Sequence, residues 1–106
     1  MSNEIVEIEK NIEELYVIAT LFYQGKDEQG FSLMNAATNR MLTVVDKIVH
    51  LTEQDKSKND IDLNFVNAAL TEILNAYENK DGILIADLLT FELLDHLEFV
   101  LNQWRQ

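Results

Sequence analysis

The sequence contains no cysteine and no proline, and only 3 of its 106 residues are glycine. Without cysteine, the chain can form neither a disulfide framework nor a thiolate metal site, which is typical of proteins in a reducing compartment. Without proline, no residue interrupts a helix by removing a backbone donor. The breaks between secondary-structure elements must therefore come from the glycines and from short polar clusters.

Basic residues are also scarce. Lys and Arg number 8 against 19 Asp and Glu, which gives a formal net charge of -11 at pH 7, and no basic cluster occurs. Neutralised phosphates supply most of the affinity in nucleic-acid binding, so we expect no direct nucleic-acid partner. For the same reason we expect no binding to an anionic membrane surface.

A targeting segment and a long apolar run are missing as well. The chain begins MSNEIVEIEK, which is acidic where a secretory leader needs a basic start followed by an apolar run. The longest mostly apolar run, Leu15 to Tyr23, is too short to cross a bilayer. The sequence therefore predicts a cytoplasmic protein without a membrane-spanning helix.

Apolar residues at alternating spacings of three and four are abundant, and this spacing forms one face of a helix and excludes strands. It predicts helices over residues 3–24, 28–53, 61–78 and 82–105 of a single domain covering residues 1–106. One stripe per helix and short connections predict an all-α fold, an antiparallel four-helix bundle built from two helical hairpins. The predicted stripes are Ile5, Ile8, Ile12, Leu15, Ala19 and Phe22; Phe31, Met34, Ala37, Met41, Val44, Ile48 and Leu51; Leu63, Val66, Leu70, Ile73 and Tyr77; and Ile83, Ala86, Thr90, Leu93, Leu97, Val100 and Trp104.

Two similar stretches, YQGKD (23–27) and YENKD (77–81), separate the helices within each predicted hairpin. Each has a tyrosine in the last helical turn, followed by Gly25 or Asn79, which tolerate a positive φ. Each ends with an aspartate, Asp27 or Asp81, suited to cap the next helix. Both stretches therefore predict tight turns, and the sequence leaves open whether the likeness records a duplication or only shared capping chemistry.

The last helix carries more large apolar side chains than one face can hold. At about 100° per residue, Leu84, Leu88, Phe91 and Phe99 fall among the polar residues opposite the main stripe. A row of apolar side chains of this size is unfavourable in water, which indicates that another surface covers it. The bundle itself, a second copy of the chain and a partner helix are the alternatives for that surface. The predicted partner-binding residues are Leu84, Leu88, Phe91, Asp95 and Phe99.

The predicted surface has an acidic rim formed by Asp87, Glu92, Asp95 and Glu98. Such a rim suits an opposing helix that carries Lys or Arg. We interpret the chain as a protein-interaction module that forms a homodimer or binds a partner helix through the last helix. An adaptor or chaperone that shields a helical segment of a client protein is a further hypothesis.

No catalytic motif accompanies the helices, so we expect a non-enzymatic protein without a cofactor. A di-metal site in a helical bundle needs inward-facing Glu-x-x-His pairs, but here Glu92 precedes His96 by four residues. His50 precedes Glu53, which is the reverse order. A metal-binding bundle that uses His50, Glu92 and His96 is therefore the weaker alternative.

The stretches FYQGKDEQGF and AYENKDGILIADLLTFELLDHLEFVL resemble small uncharacterised acidic helical-bundle proteins of Gram-positive bacteria. The resemblance covers about half of the chain and involves turn and helix residues. It implies the helical fold and carries no activity with it.

Overall fold

A computed structural model describes residues 3–58 and 60–105. In this part of the chain all regular secondary structure is helical, so the described residues form an all-α bundle of four helices. None of these helices combines the length and the apolar character needed to cross a membrane. The bounds are Asn3–Tyr23 for α1, Asp27–Gln54 for α2, Leu63–Glu78 for α3, Gly82–Asp87 for α4 and Leu94–Asn102 for α5.

The fourth helix (82–102) contains a wide turn in its middle. It consists of α4, a π-helical segment (Leu88–Leu93) and α5, which follow one another without a break. Leu88 and Leu94, at the two junctions, keep right-handed helical dihedrals. The Leu94 N–H donates to the carbonyl of Leu89, five residues back, so this turn holds one residue more than an α-helical turn.

The predicted stripes of α1 and α2 form much of the core. Every stripe residue of α1 is buried, and in α2 only Phe31 remains half-buried. In α3 the buried face consists of Val66, Ala69, Ile73 and Ala76, while Leu63, at the first helical position, is exposed. The fourth helix contacts each of the other three helices, so the core is built around it.

Ion pairs join the surfaces of α1 and α2. Arg40 Nε lies 2.8 Å from Glu14 Oε2, and Lys47 binds Glu7. All four side chains are at least 30% exposed to solvent, so each pair contributes at most about 1 kcal/mol to the free energy of unfolding. Burial of the apolar stripes, and not these pairs, holds α1 against α2.

The two turns share one hydrogen-bond pattern. In the first, the Lys26 N–H donates to the Leu21 carbonyl and the Gly25 N–H donates to the Phe22 carbonyl. In the second, the Asp81 and Lys80 N–H groups donate to the carbonyls of Ala76 and Tyr77 in the same way. Both turns are therefore Schellman motifs, which end a helix with one residue in the left-handed conformation.

That left-handed residue is Gly25 in the first turn, with a φ of +75°, as predicted. In the second turn it is Lys80, with a φ of 55°, whereas Asn79 keeps a φ of -85°. The prediction for Asn79 was wrong by one position, because α3 continues one residue beyond Tyr77 while α1 ends at Tyr23.

The same one-residue offset separates the two aspartates. The Asp81 carboxylate accepts a hydrogen bond from the Leu84 N–H at 3.1 Å and caps α4, as predicted. Asp27 instead lies inside the first turn of α2, and Lys26 occupies the capping position without a side-chain hydrogen bond. The predicted cap at Asp27 was therefore wrong, although a negative charge in a first helical turn is still favourable.

One aromatic ring fills the space between the two turns. Phe22 is fully buried, and a Cβ built on Gly30 would lie 2.6 Å from its Cε1 atom. A Cβ built on Gly82 would lie 2.5 Å from its Cδ1 atom. These distances are about 1 Å shorter than an ordinary carbon contact, so a side chain at either position would force the Phe22 ring to move.

Further contacts join the aromatic side chains beside the two turns. The Phe22 ring meets Phe31 edge to face, with centroids 4.9 Å apart. Phe31 stacks on Tyr77 of α3 with centroids 6.2 Å apart. The Lys80 ammonium lies 5.1 Å from the Phe31 centroid and 4.9 Å from the Tyr77 centroid, and so covers both rings.

Candidate functional site

Most of the predicted partner-binding residues are exposed on the fourth helix. The exposed fractions are 43% for Leu84, 69% for Phe91 and 63% for Phe99, and Asp95 is exposed as well. Among the described residues, no large hydrophobic side chain is more exposed than these two phenylalanines. Leu84, Phe91, Asp95 and Phe99 are called the outer face below.

Leu88 does not belong to the outer face, because its side chain is only 6% exposed. The prediction assumed uniform α-helical spacing, which places the stripe upstream of Leu93 at Thr90, Ala86 and Ile83. The extra residue of the π turn moves the stripe back by one position. Leu89, Ile85 and Gly82 are accordingly buried, Ala86 stays buried beside them, Thr90 is half-buried and Ile83 is 52% exposed.

One side of the outer face borders α1. The Tyr23 hydroxyl donates to Asp87 Oδ1 at 2.6 Å, and this contact ties the end of α1 to α4. Further along, the Glu98 carboxylate accepts two hydrogen bonds from Arg105, at 3.0 and 3.2 Å. Arg105 Nε also lies 3.5 Å from Glu9 of α1, so two carboxylates share this guanidinium.

The other side of the outer face borders α3. The Asp62 N–H donates to His96 Nε2 at 3.1 Å, and the Phe65 ring centroid lies 5.2 Å from that of His96. The Asp62 carboxylate also accepts a hydrogen bond from the Phe65 N–H and so caps α3. Phe91, Asp95 and Phe99 therefore lie on the solvent side of the fourth helix, between the side that meets α1 and the side that meets α3.

A groove of about 290 Å³ runs between α3 and α4, next to the outer face. Ala76, Leu84 and Leu88 form its apolar part, and Glu72, Asn75 and Asp81 are among its polar residues. The buried Leu88 thus lines this groove, although it is absent from the outer face. Sequence reasoning missed the α3 residues, because the periodicity of a helix does not specify which neighbour each of its sides will meet.

The electrostatic environment of this region is negative. Neither Leu63–Glu78 nor residues 82–102 contain a lysine or an arginine. The ion pairs in the described part of the chain involve Glu7, Glu9, Glu14 and Glu98. Burial raises the pKa of Tyr16, and the negative charges of Glu98 and Asp95 raise it further, against an opposing effect of Arg105.

The structure does not assemble the alternative metal site. His50 is exposed on α2, where its Nε2 atom lies 3.1 Å from the side-chain amide of Gln54. His96 uses its Nε2 atom to accept from the Asp62 N–H. Within residues 3–58 and 60–105, no group of three or more His, Cys, Asp or Glu side chains could hold a metal ion. His50, Glu92 and His96 therefore do not form a shared coordination site.

The family model described as "Domain of unknown function (DUF8042)" matches residues 5–103. The chain belongs to this family. The DUF8042 match extends well beyond the two stretches that carry the resemblance seen in the sequence, and it agrees with a resemblance to uncharacterised proteins. Comparisons with curated proteins and with solved structures gave no significant match.

Proposed function

We propose that this protein is a non-enzymatic interaction module that docks another protein surface on the outer face of its fourth helix. The surface that docks is either a second copy of the chain or a helix of a different protein. The observation that carries the proposal is the exposure of Phe91 and Phe99 in a helix whose other large side chains mostly enter the core.

The exposed area of the two rings determines how much free energy their burial can contribute to docking. A phenylalanine can bury roughly 200 Å², so two rings exposed by about two thirds present roughly 260 Å². Covering that area would release about 6 kcal/mol at 25 cal/mol per Å². Association itself costs at least about 4 kcal/mol, so the two rings can anchor a partner but need additional contacts around them.

The proposed scaffold is an antiparallel four-helix bundle of two hairpins in a single domain. Two ion pairs support antiparallel α1 and α2, because Glu7 pairs with Lys47 while Glu14, seven residues later, pairs with Arg40, seven residues earlier. The stacking of Phe31 on Tyr77 supports two turns at one end. A cytoplasmic location is part of the proposal and is supported by the absence of cysteine.

A pair of matched double variants tests the docking surface. Phe91→Ser with Phe99→Ser removes the outer-face rings, and Val6→Ser with Val17→Ser removes two α1 side chains that are each 53% exposed. The readouts are molar mass by light scattering over a range of concentrations and quantitative capture of binding proteins from native cells. We expect association to be lost only in the outer-face variant, with the helical circular dichroism of both variants unchanged.

The proposal fails if both variants keep the association of the parent chain, because the phenylalanines would then contribute nothing. It also fails if both lose association equally, since the effect would then come from a general loss of exposed apolar surface.

A further inference from the structure

The charges around the outer face restrict what can cover it. Glu92 and Asp95 belong to the fourth helix and Glu72 belongs to α3, and none of the three takes part in an ion pair within the described residues. No lysine or arginine occurs in either helix to offset them. Of the basic residues elsewhere, Arg40, Lys47 and Arg105 bind carboxylates of α1 or Glu98.

A second copy of the chain fits this surface poorly. A two-fold interface places the same patch on both subunits, so carboxylates would meet carboxylates beside the apolar contact. Like charges brought together at an interface oppose association. Each chain also carries a net charge of -11, so the two subunits repel each other at longer range.

A basic amphipathic helix fits the same surface well. Its apolar stripe would lie on Phe91 and Phe99, while lysines or arginines beside the stripe would approach Glu92 and Asp95. The groove between α3 and α4 suits such a side chain, because Leu84 and Leu88 can contact an aliphatic stem and Glu72 can bind its cationic end.

From this charge pattern we infer that the partner is a basic amphipathic helix of another protein, seated on the outer face with a basic side chain in the α3–α4 groove. The inference rests on the proposed function and names the chemistry of the partner. Nucleic acid and anionic membranes are repelled by the same carboxylates that attract the helix.

Three synthetic helical peptides test the charge requirement. They share one leucine stripe and differ only in the flanking residues, which are lysine in the first, glutamine in the second and glutamate in the third. Binding of labelled peptide to the full-length chain is measured by fluorescence anisotropy at several salt concentrations. We expect the lysine peptide to bind at least about tenfold more tightly than the glutamine peptide, the glutamate peptide not to bind, and the advantage of lysine to shrink as salt increases.

Matched charge variants separate a specific site from general attraction to an acidic protein. The first variant combines Glu72→Gln, Glu92→Gln and Asp95→Asn, and the second combines Glu13→Gln, Asp46→Asn and Glu53→Gln on α1 and α2. Both change the net charge equally. We expect the first to weaken binding of the lysine peptide by about tenfold and the second by less than about threefold. Equal losses would overturn the inference, because carboxylates away from the outer face would then contribute to peptide binding as much as those beside it.

The outcomes also separate the inference from the proposed function. If the parent chain self-associates and Phe91→Ser with Phe99→Ser abolishes that association, the outer face is an interface but the basic-helix inference is overturned. The inference is overturned in the same way if the glutamine peptide binds as well as the lysine peptide. If the phenylalanine substitutions alter neither self-association nor peptide binding, both the inference and the proposed function fail.

Discussion

Replacing either glycine that contacts Phe22 should destabilise the protein, with Gly82→Ala as the sharper case. The new Cβ atom would lie 2.5 Å from Phe22 Cδ1 and 3.0 Å from Cε1. An ordinary carbon contact is about 3.5 Å or longer, so the ring would have to move by about 1 Å. It cannot simply move away from Gly82, because Gly30 and Phe31 also contact it.

Overpacking of this kind typically costs about 1–3 kcal/mol. Gly82 occupies the first position of α4, where a gain in helix propensity is small, so we expect Gly82→Ala to lower the free energy of unfolding by about 1–3 kcal/mol. Gly30 lies inside α2, where alanine is favoured by up to about 1 kcal/mol, so the net loss for Gly30→Ala should be smaller. For a chain of this size, a loss of 1 kcal/mol lowers the melting temperature by about 4 °C.

Urea unfolding followed by circular dichroism measures these changes, with Asn35→Ala on the exposed side of α2 as a control expected to stay within about 0.5 kcal/mol of the parent. A double-mutant cycle with Phe22→Leu tests the cause. If the ring is responsible, Gly82→Ala should cost less in the Phe22→Leu background, with a coupling of about 0.5–3 kcal/mol. Strict additivity, or an alanine variant as stable as the parent chain, would refute the steric explanation.

Other positions give further predictions. Gly25→Ala should cost about 1–2 kcal/mol in urea unfolding, because nothing lies within 4 Å of its Cβ and the left-handed φ alone is strained. Lys80→Gly should change stability by less than about 1 kcal/mol, since relief of the 55° φ offsets loss of the ammonium over the two rings; a larger change would contradict that balance. Leu88→Ala should cost about 2–5 kcal/mol and Leu84→Ala less than about 1 kcal/mol, and the reverse order would contradict the π-shifted register. Because the folded-state pKa of Tyr16 is raised, the protonated phenol contributes to the free energy of unfolding below pH about 10, and this contribution is lost as pH rises through the folded pKa. In urea unfolding, Tyr16→Phe should therefore lose less stability than the parent chain between pH 8 and pH about 10.5.

The helical class and much of the core could be predicted from spacing alone, because a stripe repeating at three and four residues has only one way to be buried on a regular helix. Ile8, Leu15 and Met41 show this, since each is buried where the pattern places it. The left-handed turn at Gly25 was predictable as well, because glycine is the residue that adopts a positive φ at no steric cost.

The fourth helix was harder to predict, because a π turn has no clear sequence signal. Once a single turn holds an extra residue, every position upstream of it is displaced relative to the face seen downstream. Ile83 and Leu88 were misplaced for this reason, whereas Leu93 and Leu97, downstream of most of the wide turn, were placed correctly. Lys80 was missed because a lysine with a positive φ is uncommon and because the length of α3 decides which residue takes that conformation.

The contact of one ring with both Gly30 and Gly82 also bears on how the chain folds. The N-terminal half supplies Phe22 and Gly30, and the C-terminal half supplies Gly82, so neither half alone encloses the ring. A fragment ending after α2 would leave Phe22 without its contact to Gly82, and a fragment starting at α3 would leave Gly82 without the ring that covers it. We therefore expect the two halves to acquire protection from hydrogen exchange together, in a single cooperative unit, and not as separately stable hairpins.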